Sequence, residues 1–272
     1  MSELEAIGKT DGMPVTVQSL CEDLAALGVT KGMVLLVHSS LSSLGWVCGG
    51  PVAVVQALEK AIGEEGTLVM PTHSGDFSEP SLWRNPPVPE EWWETIRLTM
   101  PAFDVDLTPT RGMGVVPECF RRQNGAIRGL HPTDSFAARG PLAEVIVTCQ
   151  TLDFPMGEGS PLARMYDQDG WVLLIGVDYQ SATSLHLAES RAKYPRKKVV
   201  ERGGPLTVDG QRAWIKFRDF DWDDSDFSKI GAAFSEETGL VRSGRLGNGG
   251  GLLVPQRQLI DFAVSWMEEN RK

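Results

Sequence analysis

Three short apolar runs set the architecture that this sequence permits. MVLLVHSS (33 to 40), GTLVMPT (66 to 72) and WVLLIGV (171 to 177) are too short for buried helices and too continuous for strands with one wet face. Between the first two lies PVAVVQALEKAI (51 to 62), an amphipathic helix with Pro51 in its first turn. Strand, helix, strand in that order implies a βαβ unit with buried parallel strands. Ahead of it, TVQSLCEDLAALGV (16 to 29) puts Leu20, Leu24 and Leu27 on one side of a helix, with Gly28 at the expected stop. Behind it, SATSLHLAESRAKY reads as a helix, and PLTVDGQRAWIKFRDFD as a hairpin around Asp209-Gly210. PQRQLIDFAVSWMEEN, opening at Pro255, sets Leu259, Ala263 and Met267 along one helical stripe facing the core. The expected fold is α/β: a central, largely parallel sheet flanked by helices, with an antiparallel β addition. No internal repeat, low-complexity tract or linker divides residues 1–272, which are expected to form a single domain.

One stretch breaks this pattern. From about 72 to 110 the chain is rich in proline and carboxylates, holds Trp83, Trp92 and Trp93, and offers one helix, in EEWWETIRL. A long irregular segment inside a compact protein is either a functional excursion or a covering loop with packed aromatics. The glycine cluster GNGGG (247 to 251) reads as a flexible connection.

Composition excludes several classes. With 42% hydrophobic and 23% charged residues the chain has the makeup of a globular protein. A formal charge of -10 argues against a partner that presents nucleic-acid phosphates and favours a cationic ligand. Cys21, Cys48, Cys119 and Cys149 are widely spaced with no C-x-x-C pair, which fits a reducing cytoplasm. The polar, acidic start MSELEAIGKTDG lacks a leader pattern, and no apolar run approaches the roughly 18 residues of a membrane helix. A soluble cytoplasmic protein is expected, without a nucleic-acid or membrane partner.

Four segments carry residues suited to chemistry. HSSLSSLGWVCGGP (38 to 51) joins the first strand to its helix, with glycines at 45, 49 and 50 and hydroxyls at Ser39, Ser40, Ser42 and Ser43. Its glycines permit close backbone approach, and the helix behind it offers unpaired N–H groups, so it suits a phosphate or amide-rich ligand as well as a plain turn. It matches neither common nucleotide-loop spacing. RGMGVVPE (111 to 118) offers Gly112 and Gly114 for another tight approach. RGLHPTDSFAARGPLAE (128 to 144) contains His131, Asp134 and Ser135, where Asp134 or Ser135 suits a helix cap and His131 suits packing. In SATSLHLAE (181 to 189), a helix capped by Ser181 or Thr183 would place His186 in an early turn and Glu189 on the same face. A carboxylate there fixes the imidazole tautomer and raises its basicity, as a general base requires, though such a pair is also common as a purely structural contact. No metal-ligand spacing and no G-x-S-x-G elbow is present, so neither a metal site nor a serine nucleophile is expected.

Taken together, VHSSLSSLGWVCGGPVAVVQAL, GTLVMPTHS, MPAFDVDLTPTRGMGVVPECFR, LHPTDSFAARG, GSPLARM and VLLIGVDYQSATSLHLAE occur in the order seen in the aminoglycoside 3-N-acetyltransferase family, and the chain resembles that family from about Thr16 to Met267. The resemblance implies a fold distinct from that of the small general acetyltransferases and acetyl-coenzyme A as co-substrate. It implies cofactor contacts at Ser39, Ser40, Leu41, Val47, Gly49, Gly50, Arg111, Gly112, Met113, Gly114 and Ser135. It also implies His186 as catalytic base and Glu189 as its partner carboxylate. The acceptor would be the 3-amino group of a 2-deoxystreptamine aminoglycoside, a polycation suited to carboxylates. Candidates for those carboxylates are Asp76, Glu79, Asp178 and the acidic run DFDWDDSDF (219 to 227). Members of the family need not all act on antibiotics, so a different amine, or coenzyme A binding without catalysis, are the competing expectations.

Overall fold

A computed structural model describes residues 3–272. In chain order the elements are α1 (Glu3–Lys9), α2 (Val17–Leu27), β1 (Val34–Ser39), α3 (Gly50–Ile62), β2 (Thr67–Pro71), α4 (Trp93–Thr99), α5 (Val115–Arg121), β3 (Ile127–Arg128) and β4 (Phe136–Arg139). There follow α6 (Ala143–Val147), α7 (Pro161–Asp167), β5 (Trp171–Ile175), α8 (Ser184–Arg191), β6 (Val199–Val208), β7 (Gln211–Phe220), α9 (Phe227–Thr238), β8 (Arg242–Leu246), β9 (Gly249–Pro255) and α10 (Gln256–Asn270). The expected helix ends are set by local chemistry. Thr16 and Ser19 form a reciprocal capping box ahead of α2, and Gly28 closes it at φ 99° in the left-handed region.

The three apolar runs are the centre of a seven-stranded sheet ordered β3-β4-β2-β1-β5-β9-β8. Parallel pairing is confined to β2, β1 and β5; every other pair in this sheet is antiparallel. Alternation along the strands divides the core. Leu35, Val37, Leu68, Met70, Leu173 and Ile175 pack against α2, α3 and α5 on one face. Val34, Leu36, Val69, Val172 and Leu174 face α6 to α10 on the other, where Leu259, Ala263 and Met267 are buried as their spacing predicts. Among the described residues, no helix is long and apolar enough to cross a membrane.

The hairpin expected at Asp209-Gly210 is present, its two positive-φ residues turning β6 into β7 as a separate two-stranded sheet. It clasps the irregular segment: Phe103 N–H donates to Pro205 O at 2.9 Å and Arg212 Nε to Met100 O at 3.0 Å. Two local expectations change. GNGGG is not a loose connection: Gly247 and Asn248 turn the β8–β9 hairpin, and a Cβ on Gly249 would lie 2.6 Å from the Ser43 carbonyl. Glycine is needed there because the loop after β1 crosses that hairpin. Asp134 and Ser135 cap no helix, since strand β4 follows them.

α9 sits where it does because Gly231 lets it lie directly on the Tyr179 ring, whose hydroxyl meets Ser235 Oγ at 2.9 Å. A Cβ on Gly231 would come within 1.9 Å of Tyr179 Cγ. Alanine would gain about 1 kcal/mol of helix propensity, but overpacking a fixed aromatic costs about 1–3 kcal/mol. The clash should win, so Gly231→Ala is expected to lower the urea midpoint; an unchanged or higher midpoint would contradict this packing account.

Candidate active site

The carboxyl ends of β1, β2 and β5 open at the same edge of the sheet, where α/β proteins hold their ligands. Each contributes a side chain to one cluster: His38 at the end of β1, His73 just after β2, and His186 in the first turns of α8, the helix that follows β5. Thr183 occupies the N-cap position of α8 but makes no capping bond; its hydroxyl lies 3.4 Å from His38 Nε2.

His186 Nδ1 lies 3.1 Å from Glu189 Oε2, as helical spacing requires. The Glu189 side chain is fully buried, and its other oxygen accepts from Asp223 N–H at 2.8 Å, Arg271 Nη1 at 2.8 Å and Tyr194 Oη at 3.1 Å. Burial alone would push this carboxyl up. The hydrogen bond and charge of His186, the Asp223 N–H and the Arg271 charge outweigh it and hold Glu189 below the usual glutamate range. An ionised Glu189 fixes the proton on Nδ1 and leaves Nε2 as the nitrogen free to take another. The ring is walled by Trp222 and Phe227, with centroids 5.0 and 4.9 Å away, and its side chain keeps 14% exposure.

His38 and His73 stay neutral. Burial first, then the neighbouring imidazoles, lowers His38 to about 3. Burial lowers His73 to about 4 against the opposing pull of Asp134, and its Nε2 is buried without a hydrogen-bond partner. Beside them, Asp219 at the end of β7 is buried, accepting from Phe220 N–H at 2.8 Å and Trp222 Nε1 at 2.9 Å. Burial, then the Asp134 charge, pushes its carboxyl up to about 7 despite those donors. His131 is held by structural bonds, its Nδ1 accepting the Asp134 N–H at 3.0 Å and its Nε2 meeting Leu152 O at 3.2 Å.

A cleft of about 540 Å³ opens along the loop after β1. Ser39, Ser40, Leu41, Val47, Gly50, Gly112, Met113 and Gly114 line it, joined by Trp46 and by Glu3 and Ala6 of α1. Gly49 is the left-handed N-cap of α3, with φ 91° and no side-chain bond to the helix N–H groups. Gly50 and Gly112 face open space, and Ser39 Oγ is buried without a partner. An orphaned hydroxyl and glycine walls suit a ligand with an amide-bearing arm, while the first turn of α3 has Gly50 N–H bonded to Val47 O and no N–H at Pro51.

The other expected contacts lie elsewhere. Ser135 is buried at the sheet edge, where it bonds Thr72 and Arg128 and does not line the cleft. Arg111 pairs with Asp76 at 3.3 Å in an adjacent cleft with Trp83 and Arg84. Glu79 caps the turn at Ser81 and is ion-paired with Arg97. Asp178 accepts from Gln180 N–H at 3.0 Å and Ser228 Oγ at 3.3 Å. Asp219, Trp222 and Phe227 all belong to the acidic run 219–227; Trp222 and Phe227 pack on His186, and Asp219 reaches it only through its bond to Trp222. Arg271 carries no local signal in the sequence, because its partners lie far along the chain.

Fold and site together define an α/β enzyme with a carboxylate-fixed imidazole near the strand ends and a cleft along the loop after β1, whose lining does not include that imidazole. Residues 36–268 match the aminoglycoside 3-N-acetyltransferase family. The SPbeta prophage-derived aminoglycoside N(3')-acetyltransferase-like protein YokD of Bacillus subtilis is 44% identical over 98% of this chain and 97% of its own. Its crystal structure superposes with a TM-score of 0.94 over 98% of both chains. Aminoglycoside N(3)-acetyltransferase VII of Streptomyces paromomycinus is 36% identical over 99% of this chain and 96% of its own. A structure of AAC-IIIb in binary complex with CoASH, 30% identical, has a TM-score of 0.84 over 95% of this chain and 98% of that one. The chain belongs to the aminoglycoside 3-N-acetyltransferase family, a family of acyltransferases.

The Asp219 carboxyl generates a pH prediction. Its folded value of about 7 lies above the ordinary aspartate value, so the folded state holds this proton more tightly than the unfolded one. The linked stability is complete below about pH 4 and is lost as pH rises through about 7, with an upper bound of about 4 kcal/mol. Asp219→Asn should therefore match the parent near pH 4 and exceed it in thermal midpoint at pH 8. Equal midpoints at both pH values would show that the buried carboxyl is not protonated.

Proposed function

We propose that this cytoplasmic, single-domain protein is an acetyl-coenzyme A-dependent N-acetyltransferase that acts on the 3-amino group of 2-deoxystreptamine aminoglycosides by direct transfer. The observation that carries the reading is the His186–Glu189 pair, with its carboxylate fully buried and its imidazole partly exposed, in a chain that also carries a glycine-lined cleft after β1. When bound, acetyl-coenzyme A supplies an acetyl group activated as a thioester. The loop 39–50 and residues 112–114 would hold it, with the unpartnered Ser39 hydroxyl as a donor.

The remaining steps belong to the protein. An amine is nucleophilic only as the free base, so a proton must leave it as the new C–N bond forms. His186 accepts that proton at Nε2, while Glu189 steadies the resulting imidazolium through Nδ1. The proton then passes to the departing sulfur as the C–S bond breaks, and no acetyl-enzyme forms. Trp222 and Phe227 restrict solvent and hold the ring.

A second reading, with the same chemistry on another amine, has one specific support. Asp76 and Glu79, expected to meet a polycation, are already paired with Arg111 and Arg97. That leaves fewer free carboxylates for several ammonium groups at once, and the acceptor panel must include simple amines.

The test is free-thiol release from acetyl-coenzyme A across aminoglycosides and simple amines, with His186→Ala in parallel. Turnover with aminoglycosides is expected, and the variant should lose on the order of 10²–10⁴ in kcat while still binding the co-substrate. Turnover only with simple amines would select the second reading. An undiminished His186→Ala would remove the base.

A further inference from the structure

Glu189 is held from three places in the chain besides its own helix, and one of these holds more than Glu189. Arg271, the residue after α10, is 8% exposed at its side chain and spends its whole guanidinium here. Nη1 donates to Glu189 Oε1 at 2.8 Å and to Tyr194 Oη at 3.2 Å. Nη2 donates to Asp223 O at 2.6 Å and to Asp226 Oδ1 at 2.5 Å, and Nε donates to Asp226 Oδ2 at 2.8 Å. Asp223 and Asp226 bracket the segment between Trp222 and Phe227, the two walls of the His186 ring. One planar fork therefore ties together the carboxylate that orients the imidazole and the segment that walls it.

We infer that Arg271 is a positioning residue for the reaction: through Glu189 and the 223–226 segment it fixes the orientation of His186 and sets the charge that the His186–Glu189 pair experiences. The inference rests on the proposed role of His186 as base. Arg271 does not touch the imidazole, so its effect is indirect. Its fork geometry governs how well the ring is aimed; its positive charge governs how readily the pair holds a proton.

The two effects separate by substitution. The pair is faced by Arg271 from beyond α10, Asp223 and Asp226 from the start of α9, Tyr194 and Lys197 from the segment after α8, and His38 and His73 from the ends of β1 and β2. Removing one fixed cation from this set makes any proton on the pair easier to keep. The acidic limb of the kcat/KM profile, below which the base is blocked, must then move to higher pH. A lysine keeps the charge but loses the fork, so it should spare the limb and not the rate.

The experiment measures free-thiol release against pH for the full chain and for Arg271→Ala, Arg271→Lys and His186→Ala, with thermal midpoints alongside. Arg271→Ala is expected to lower kcat about tenfold or more and to raise the acidic limb by about half to one pH unit. Arg271→Lys should lower kcat while its limb stays at the parent position. If Arg271→Ala does not fold, Arg271→Gln, which keeps a planar head without charge, carries the limb measurement. A parent-like limb in both neutral variants would overturn the inference, even with a depressed rate, because a merely structural role moves stability and not the limb. An inactive His186→Ala beside a parent-like Arg271→Ala rejects Arg271 alone; a fully active His186→Ala rejects the base itself.

Discussion

A carboxylate with no access to water dictates much of the site. An ionised group buried without compensation costs several kcal/mol, so a chain that places Glu189 beneath its sheet edge must surround it with donors. It does so from far apart: His186 on the same helix, Tyr194 beyond it, the Asp223 backbone and Arg271 after α10. These requirements tie the C-terminal helix and the start of α9 to the same point. The packing that stabilises the charge also defines the pocket walls, since Trp222 and Phe227 come with the segment that supplies Asp223. Electrostatic necessity thus recruits the elements that orient the imidazole.

Neutral groups complete the arrangement. His38 and His73 border the same cluster, and two further imidazolium charges there would repel a protonated His186. Burial keeps both uncharged near neutral pH, so only one imidazole is free to carry the proton in the proposed reaction. The division matches the architecture: strand ends supply the buried histidines, and the helix after β5 supplies the partly exposed one. The cleft, by contrast, is lined by glycines and by neutral side chains such as Ser39, Leu41, Trp46 and Met113, while the titratable side chains are concentrated around His186.

Legibility in the sequence followed the range of the interactions. β1, β2 and β5 were readable because an apolar run records its own burial, and α2 because Leu20, Leu24 and Leu27 recur at helical spacing and Gly28 marks the stop. The His186–Glu189 spacing was readable because helical geometry alone brings i and i+3 together. Arg271 was not, because a contact 82 residues distant leaves no local trace. The antiparallel strands β8 and β9 were obscured for a related reason. Their glycines resemble a flexible link, yet they are there because the loop at Ser43 and Leu44 passes within contact distance of the hairpin. Ser135 shows the opposite failure: a hydroxyl in a motif resembling a binding loop is consumed by Thr72 and Arg128, so its type was legible and its partner was not.

The carboxylates sort themselves by what already neutralises them. Asp76 and Glu79 carry arginines, and Asp178 spends its oxygens on Gln180 and Ser228. Asp219 is buried with both oxygens taken, one by Phe220 N–H and one by Trp222 Nε1, so its role is to hold the Trp222 ring that walls His186 rather than to present a free charge.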